Sequence, residues 1–361
     1  MRKFGLNIPI NSVSFGQLSF AILKEMLDRG IEPNLFSIGQ LDFNSQQASR
    51  EELAKINKIL IDSLSEHSRK DPCFKLWHLN GSLESFSENQ LLLTFYELDD
   101  PTKEEINIAK SNRTLFSSRH SIDVFKDKGV DCDYLPLFFD KFNFERKDRE
   151  YFSDGRIVFN VCGKFEKRKH HAKILNSWVR KYGGDMRYFL QCCIFNPFMS
   201  PEENDMAIHR ALEGKRYANV NILKPMGKNS LYNDYLNSGD IVIGMSGGEG
   251  WGLPEFHSMA LGKHSVILNA HSYKEFANED NSVLIEPNGK EDCYDGKFFQ
   301  QGTPFNQGQI FTWDEDDFID GCELAIKRVE SSKINDKGLQ LQEQFPLSKT
   351  VDVLLDYLKD M

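Results

Sequence analysis

A short apolar run, Ile241-Val242-Ile243-Gly244, leads almost directly into Ser246-Gly247-Gly248-Glu249-Gly250-Trp251-Gly252-Leu253-Pro254, and Gly262 ends the helix-compatible run that follows. The order is a buried strand, a glycine loop and a helix start closed by Pro near its first turn and Gly past its last. No other stretch limits the fold as much. A strand that feeds a helix through such a loop aims backbone N–H groups and the positive end of a helix dipole at one spot, where phosphate is the usual guest. Gly248, Gly250, Trp251, Gly252 and Leu253 are therefore candidate ligand contacts. Glu249 sits in the middle of this anion-friendly loop and would repel a phosphate, so it is read as facing hydroxyls. A ligand carrying both groups suggests a nucleotide-sugar.

The rest of the chain repeats the alternation. Lys3–Ile8 reads as a strand, the apolar face from Leu18 to Leu27 as a helix ended by Gly30, and Pro33–Ile38 as the next strand. Gly16 stands near that first helix start, either at a phosphate or in a tight turn; a full G-x-G-x-x-G is missing. Residues 45–70 are polar and helix-prone. Strands are expected at 74–79, 91–96, 114–118 and 133–137, with helices from Pro101 to Lys110 and from Ser121 to Lys128. The charged stretch 140–155 marks a domain boundary. Strands then recur at 157–161, 187–195, 219–223, 241–245, 265–268 and 283–285. Strands alternating with helices at this spacing imply an α/β protein with two doubly wound parallel sheets, Rossmann-like, facing a cleft. The expected division is 1–150, 151–345 and a last helix, 346–361, that packs back toward the first domain. Residues 286–312 read as a loop. Ligands of such sheets sit beyond the carboxyl ends of the strands, so the glycine loop and the basic loop Gly163–Lys169 would both line the cleft.

Composition narrows the options. The 361 residues suffice for about two domains. A net charge of -10 argues against a general attraction to nucleic acid or anionic membranes. No apolar run approaches the roughly 18 residues of a membrane span. The segment Met1–Ile8 lacks the apolar core of a signal peptide, and the seven scattered cysteines fit free thiols. A cytoplasmic location is expected.

With these residues in view the chain resembles the retaining family 4 glycosyltransferases of the GT-B fold. That family carries a glutamate, a glycine-aromatic-glycine-x-Pro stretch and a second glutamate eight positions after the first. Glu249, Trp251, Gly252 and Pro254 match in place, while His257 occupies the position of the second glutamate. Glu255 lies two residues off that register, about 200° round the helix, and is not expected to substitute. The resemblance implies that Glu249 contacts the donor sugar and that position 257 meets the ribose. It also implies that Lys164 and Lys169, with Arg168 as an alternate, neutralise the diphosphate. His78, after an apolar strand, resembles the family histidine beside the donor sugar; the alternative is a structural histidine. Glu97 is a further candidate for acceptor contact. His170 and His171 read as the solvated flank of the basic loop.

The implied reaction moves a sugar, hexosyl or pentosyl, from a nucleotide donor, UDP by family frequency, to an unidentified acceptor (glycan, protein or modified DNA) with retention of configuration. Fixed cations at the departing diphosphate make a metal unnecessary, so no metal or other cofactor is expected. Asp131-Cys132-Asp133 resembles an Asp-x-Asp metal motif but falls in a turn of a domain of the wrong architecture. Three alternatives stand beside this reading: a phage-type DNA-base glycosyltransferase, using 141–149 and 164–171 as a DNA footprint; an epimerase or phosphorylase on the same fold, the phosphorylase discounted because it needs a pyridoxal lysine and a much longer chain; and a non-catalytic nucleotide-sugar-binding module.

Overall fold

The computed structural model describes residues 3–361; Met1 and Arg2, at the start of the segment read for a signal peptide, lie outside the described residues. The first half contains β1 (Gly5–Ile8), α1 (Ser14–Asp28), β2 (Asn34–Ser37), α2 (Arg50–Glu66), β3 (Cys73–Leu76), β4 (Gln90–Thr94), α3 (Lys103–Lys110), β5 (Arg113–Phe116), α4 (Arg119–Lys126) and β6 (Cys132–Tyr134). Its six strands form one parallel sheet in the order β2-β1-β3-β4-β5-β6. Every residue of β1, β3 and β4 is buried, as a parallel sheet covered on both faces requires. The helix starts follow local chemistry. Ser49 with Glu52, and Thr102 with Glu105, close capping boxes at the starts of α2 and α3.

The second half contains β7 (Ile157–Cys162), α5 (His171–Tyr182), β8 (Tyr188–Cys193), α6 (Pro201–Ala211), β9 (Val220–Ile222), α7 (Asn229–Ser238), β10 (Ile241–Gly244), α8 (Leu253–Ala260), β11 (His264–Leu268) and β12 (Val283–Ile285). Its parallel sheet runs β12-β11-β10-β7-β8-β9, the dinucleotide-fold order counted from β7. Strand order reverses between β7 and β10 here, and between β1 and β3 in the first sheet. Each reversal opens a crevice at the carboxyl ends of the strands. The two crevices face each other. Ser117 Oγ, just past β5, donates to the Gly250 carbonyl at 2.6 Å, and Glu97, past β4, reaches Arg168 past β7.

Residues 286–312 are not a plain loop. They form an antiparallel hairpin, β13 (Gly289–Asp292) and β14 (Gln309–Thr312). Gly289–Asp292 is polar and exposed along its length, so it carries no strand periodicity; docking onto the first domain holds it. Gln309 N and Lys290 Nζ both bond Asp99, at 2.8 and 2.6 Å, and Asn306 N donates to Glu105 at 2.9 Å. Cys293, Phe299 and Ile310 join Leu98, Ile108 and Phe125 in one apolar cluster. The hairpin is thus a strap from the second domain to the first.

After α9 (Glu315–Ser331) come two single turns, α10 (Asp336–Leu339) and α11 (Leu341–Gln344), and Pro346 precedes the last helix, α12 (Leu347–Asp360). That helix lies on the first domain: Arg29 reaches Asp352 at 2.5 Å, and Tyr357 donates to Asp133 at 3.0 Å. Among the described residues no helix is long and apolar enough to cross a membrane.

Candidate functional site

Pairing of β7 with β10 sets the basic loop 163–169 beside the glycine loop 246–252. Gly247 N donates to the Arg168 carbonyl at 2.7 Å, and Arg168 Nη1 donates to the Gly248 carbonyl at 2.7 Å, so the two loops are tied in both directions. Arg168 is also the hub of the charges. Its guanidinium meets Glu97 at 3.0 Å, Glu166 at 3.1 Å and Glu249 at 3.2 Å, with only 5% of its side chain exposed. Lys169, equally buried, pairs with the same Glu249 oxygen. Lys164 is half-exposed at the rim, 3.0 Å from Glu166, with its ammonium over the Phe198 ring.

The electrostatics follow from burial set against neighbours. Burial opposes ionisation of Glu249, but Lys169 and then Arg168 outweigh it and hold the carboxyl down at about 2. Burial likewise opposes ionisation of Glu166, and Arg168 and Lys164 overcome it. Glu97 goes the other way. Desolvation raises it against the pull of Arg168, with Glu249 and Glu166 adding repulsion.

The glycines of the loop answer to protein contacts as well as to any ligand. A Cβ on Gly248 would lie 2.4 Å from the Glu97 carbonyl, and one on Gly250 would lie 2.4 Å from the Phe95 Cβ. Gly252 adopts φ +92° against the Tyr273 ring. Gly16 is similar, since a Cβ there would strike Asn11, so it serves the turn into α1. Leu253 is buried at the start of α8.

Across the cleft His78 sits after β3, its ring 4.4 Å from Phe15 and 5.3 Å from Trp77. The ring opens on the cleft. The cleft walls still strip it of bulk water, and this desolvation, with the Lys164 and Arg168 cations opposite, takes its pKa down to about 4. It is a neutral imidazole at ordinary pH.

Several placements differ from the sequence-based expectation. Trp251 turns away from the cleft into an aromatic cluster with Phe256, Phe276 and Phe345, and is 2% exposed. His257 does not face the cleft either. Its ring lies 4.3 Å from Phe144, Nε2 accepts from Asp140 N at 3.3 Å, and burial lowers its pKa to about 3. The cause is the helical phase of α8: residue 257 falls on the core side, and residue 255, two positions earlier, falls on the side of the ionic cluster. Glu255 is buried among Lys169, Glu249 and Tyr273. His170 and His171 are buried as well, with Nε2 atoms at the carbonyls of Phe311 (2.8 Å) and Cys162 (3.0 Å). Sequence reasoning missed Glu166 and Tyr273. The alternation of charge through Lys164-Phe165-Glu166-Lys167-Arg168 was the one available sign of Glu166.

Two α/β domains with parallel sheets, their crevices face to face and an ionic cluster between them, give this chain the GT-B fold. No family model matches the chain, and no curated protein matches it in sequence. Solved structures do. A sucrose-phosphate synthase of Thermosynechococcus elongatus superposes with a TM-score of 0.69 at 10% identity, over 100% of this chain and 98% of its own. HepE of Anabaena, in complex with UDP and glucose, gives 0.66 at 12% identity over 100% of both chains. WaaG, a glycosyltransferase involved in lipopolysaccharide biosynthesis, gives 0.62 at 10% identity over 98% of this chain and 99% of its own.

Proposed function

We propose that the chain is a glycosyltransferase that moves a hexosyl or pentosyl group from a nucleotide-sugar, UDP-linked, to an acceptor with retention of configuration. One observation carries this reading: Lys164, Arg168 and Lys169 gather with Glu249 at the crevice of the second sheet, opposite His78 from the first. The neighbour bound to UDP and glucose supports the donor class. The leaving diphosphate gains negative charge as the glycosidic bond breaks. Preorganised cations in a water-poor site stabilise it, and no metal is needed for that task. Lys169 is engaged by Glu249, so in donor binding phosphate takes the ammonium while Glu249 turns to sugar hydroxyls. Neutral His78 can accept or donate a hydrogen bond at the sugar or the acceptor hydroxyl. Among the described residues the carboxylates nearest the basic loop, Glu97, Glu166 and Glu249, are all engaged by Arg168, which favours front-face attack with the departing phosphate oxygen helping to take the acceptor proton. The proposed domains are 1–150 and 151–345, with 346–361 returning to the first, and the proposed location is the cytoplasm.

The DNA-base reading has less support. Lys141, Arg146, Lys147 and Arg149 all pair with carboxylates, and Arg168 and Lys169 are buried, so few of these cations are free for a phosphate backbone.

The test is a thermal-shift and hydrolysis screen against nucleotide-sugars with and without EDTA. Stabilisation by a UDP-sugar, insensitive to EDTA and accompanied by slow UDP release, is expected. No shift with any nucleotide-sugar would overturn the reading, and a shift without any release of nucleoside diphosphate would favour the non-catalytic binding module.

A further inference from the structure

The cluster holds three cations, Lys164 at its rim with Arg168 and Lys169 buried, and four carboxylates, Glu97, Glu166, Glu249 and Glu255. The first three carboxylates account for every cation by direct ion pairs of the kind given above. Glu255 is the fourth. It is 2% exposed, and its Oε2 finds no hydrogen-bond partner among the described residues. The Tyr273 hydroxyl beside it is also buried, with the Glu255 carboxylate as its polar neighbour and no well-formed hydrogen bond among the described residues. From each surrounding element Glu255 is faced by Lys169 of the basic loop, Glu249 of the glycine loop, Tyr273 of the turn His271–Glu275, and Cys162 and Tyr232 at the ends of β7 and α7. Lys169 is the only cation in that set, and Glu249 holds it.

We propose that Glu255 is a positioning residue of this site that takes up a proton from solvent when the diphosphate of a nucleotide-sugar binds. The inference rests on the donor class proposed above. A bound diphosphate adds negative charge to a cluster that already has one carboxylate too many, and in a low-dielectric site that charge must be neutralised or the ligand is repelled. Glu249 and Glu166 are held ionised by their partners. Glu255 has no ion pair of its own, and desolvation, with Glu249 adding to it, outweighs the pull of Lys169 and the Tyr273 hydroxyl and places its pKa at about 7. Protonation costs little there. It frees Lys169 from a competing carboxylate and turns Oε2 into a donor for the Tyr273 oxygen. The step is a simple proton transfer from buffer to carboxylate.

Calorimetric titration of the full-length protein with UDP-glucose, in buffers of different ionisation enthalpy, counts the protons. The diphosphate of that ligand does not titrate near neutral pH, so any uptake belongs to the protein. A group at about 7 that becomes fully protonated on binding takes up about 0.9 of a proton at pH 8. The affinity should then weaken nearly tenfold per pH unit above 7. Glu255→Gln, a fixed mimic of the neutral acid, should abolish the uptake, flatten the profile and bind about tenfold or more tightly than the wild type at pH 8.5. A merely structural Glu255 would lose affinity at every pH instead. Binding without proton uptake, or uptake that persists in Glu255→Gln and so belongs to a neighbour such as Glu97, would overturn the inference and leave the functional reading standing. Absence of UDP-glucose binding to wild-type protein would overturn both.

Discussion

Gly248→Ala asks whether the glycine loop is shaped by the opposite domain. The added Cβ would sit 2.4 Å from the Glu97 carbonyl oxygen, about 1 Å inside van der Waals contact, and both partners are backbone. The loop cannot easily retreat, because the Gly248 carbonyl is held by Arg168 at 2.7 Å. Gly248 has no positive φ, so alanine brings no conformational penalty and the effect is purely one of space. Overpacking of this kind costs about 1–3 kcal/mol. In a protein of this size that lowers Tm by about 1–4 °C. The strain also pushes the Glu97–Arg168 pair apart, so UDP-sugar affinity should change alongside stability. Differential scanning fluorimetry with and without the donor reads both. Gly227→Ala is the control, since a Cβ there meets nothing within 4 Å and no loss is expected. If Gly248→Ala matches the wild type in Tm and affinity, the two domains do not meet at this loop as described, and the packing argument fails.

Other perturbations separate the roles of the cluster. Lys169→Ala should raise the barrier by about 2–4 kcal/mol through lost leaving-group stabilisation, measured as kcat; a wild-type rate would remove Lys169 from the diphosphate. Glu249→Gln should damage turnover while the protein stays folded. Its carboxyl is held at about 2, below the ordinary carboxylate value, so it contributes stability that is present above the unfolded pKa and is lost as pH falls through about 2. Acid-unfolding curves of the variant should therefore lack part of the wild-type loss below pH 4.5. His78 charges only as pH falls through about 4, so the pH profile of kcat/KM should show no histidine limb near the ordinary value of 6.5. A limb there that vanishes in His78→Gln would contradict the placement of that ring in a desolvated wall. His257→Glu, which restores the family residue, should destabilise the fold and gain no activity, because it buries a carboxylate among Phe139 and Phe144; increased turnover would return residue 257 to the ligand.

Much was legible in local sequence because the local signals had short-range causes. Alternating apolar strands and amphipathic helices announced two parallel sheets, and the structure shows them with strands often a residue or two shorter than expected. Gly30 and Thr102 act within a few residues of themselves, and the helix end and helix start they mark could be read directly. The loops carrying Lys164, Arg168, Lys169 and Glu249 could be assigned to one cleft because strand-end position follows from the alternation alone. Which side chains face that cleft could not. On α8 a two-residue change in phase exchanges core for cluster, so His257 and Glu255 take each other's expected places, and only packing against Phe139 and Phe144 decides the rotation. The strap at 286–312 was invisible for a related reason: its first strand is polar and exposed, and its order comes from Asp99, Glu105 and the cluster around Leu98, about 200 residues away in the chain. The excess carboxylate at Glu255 is likewise a property of four chain segments brought together. Periodicity, caps and glycine turns were thus written into neighbouring residues, whereas facing, burial and net charge at the site were set when distant segments met, because desolvation and ion pairing act through space.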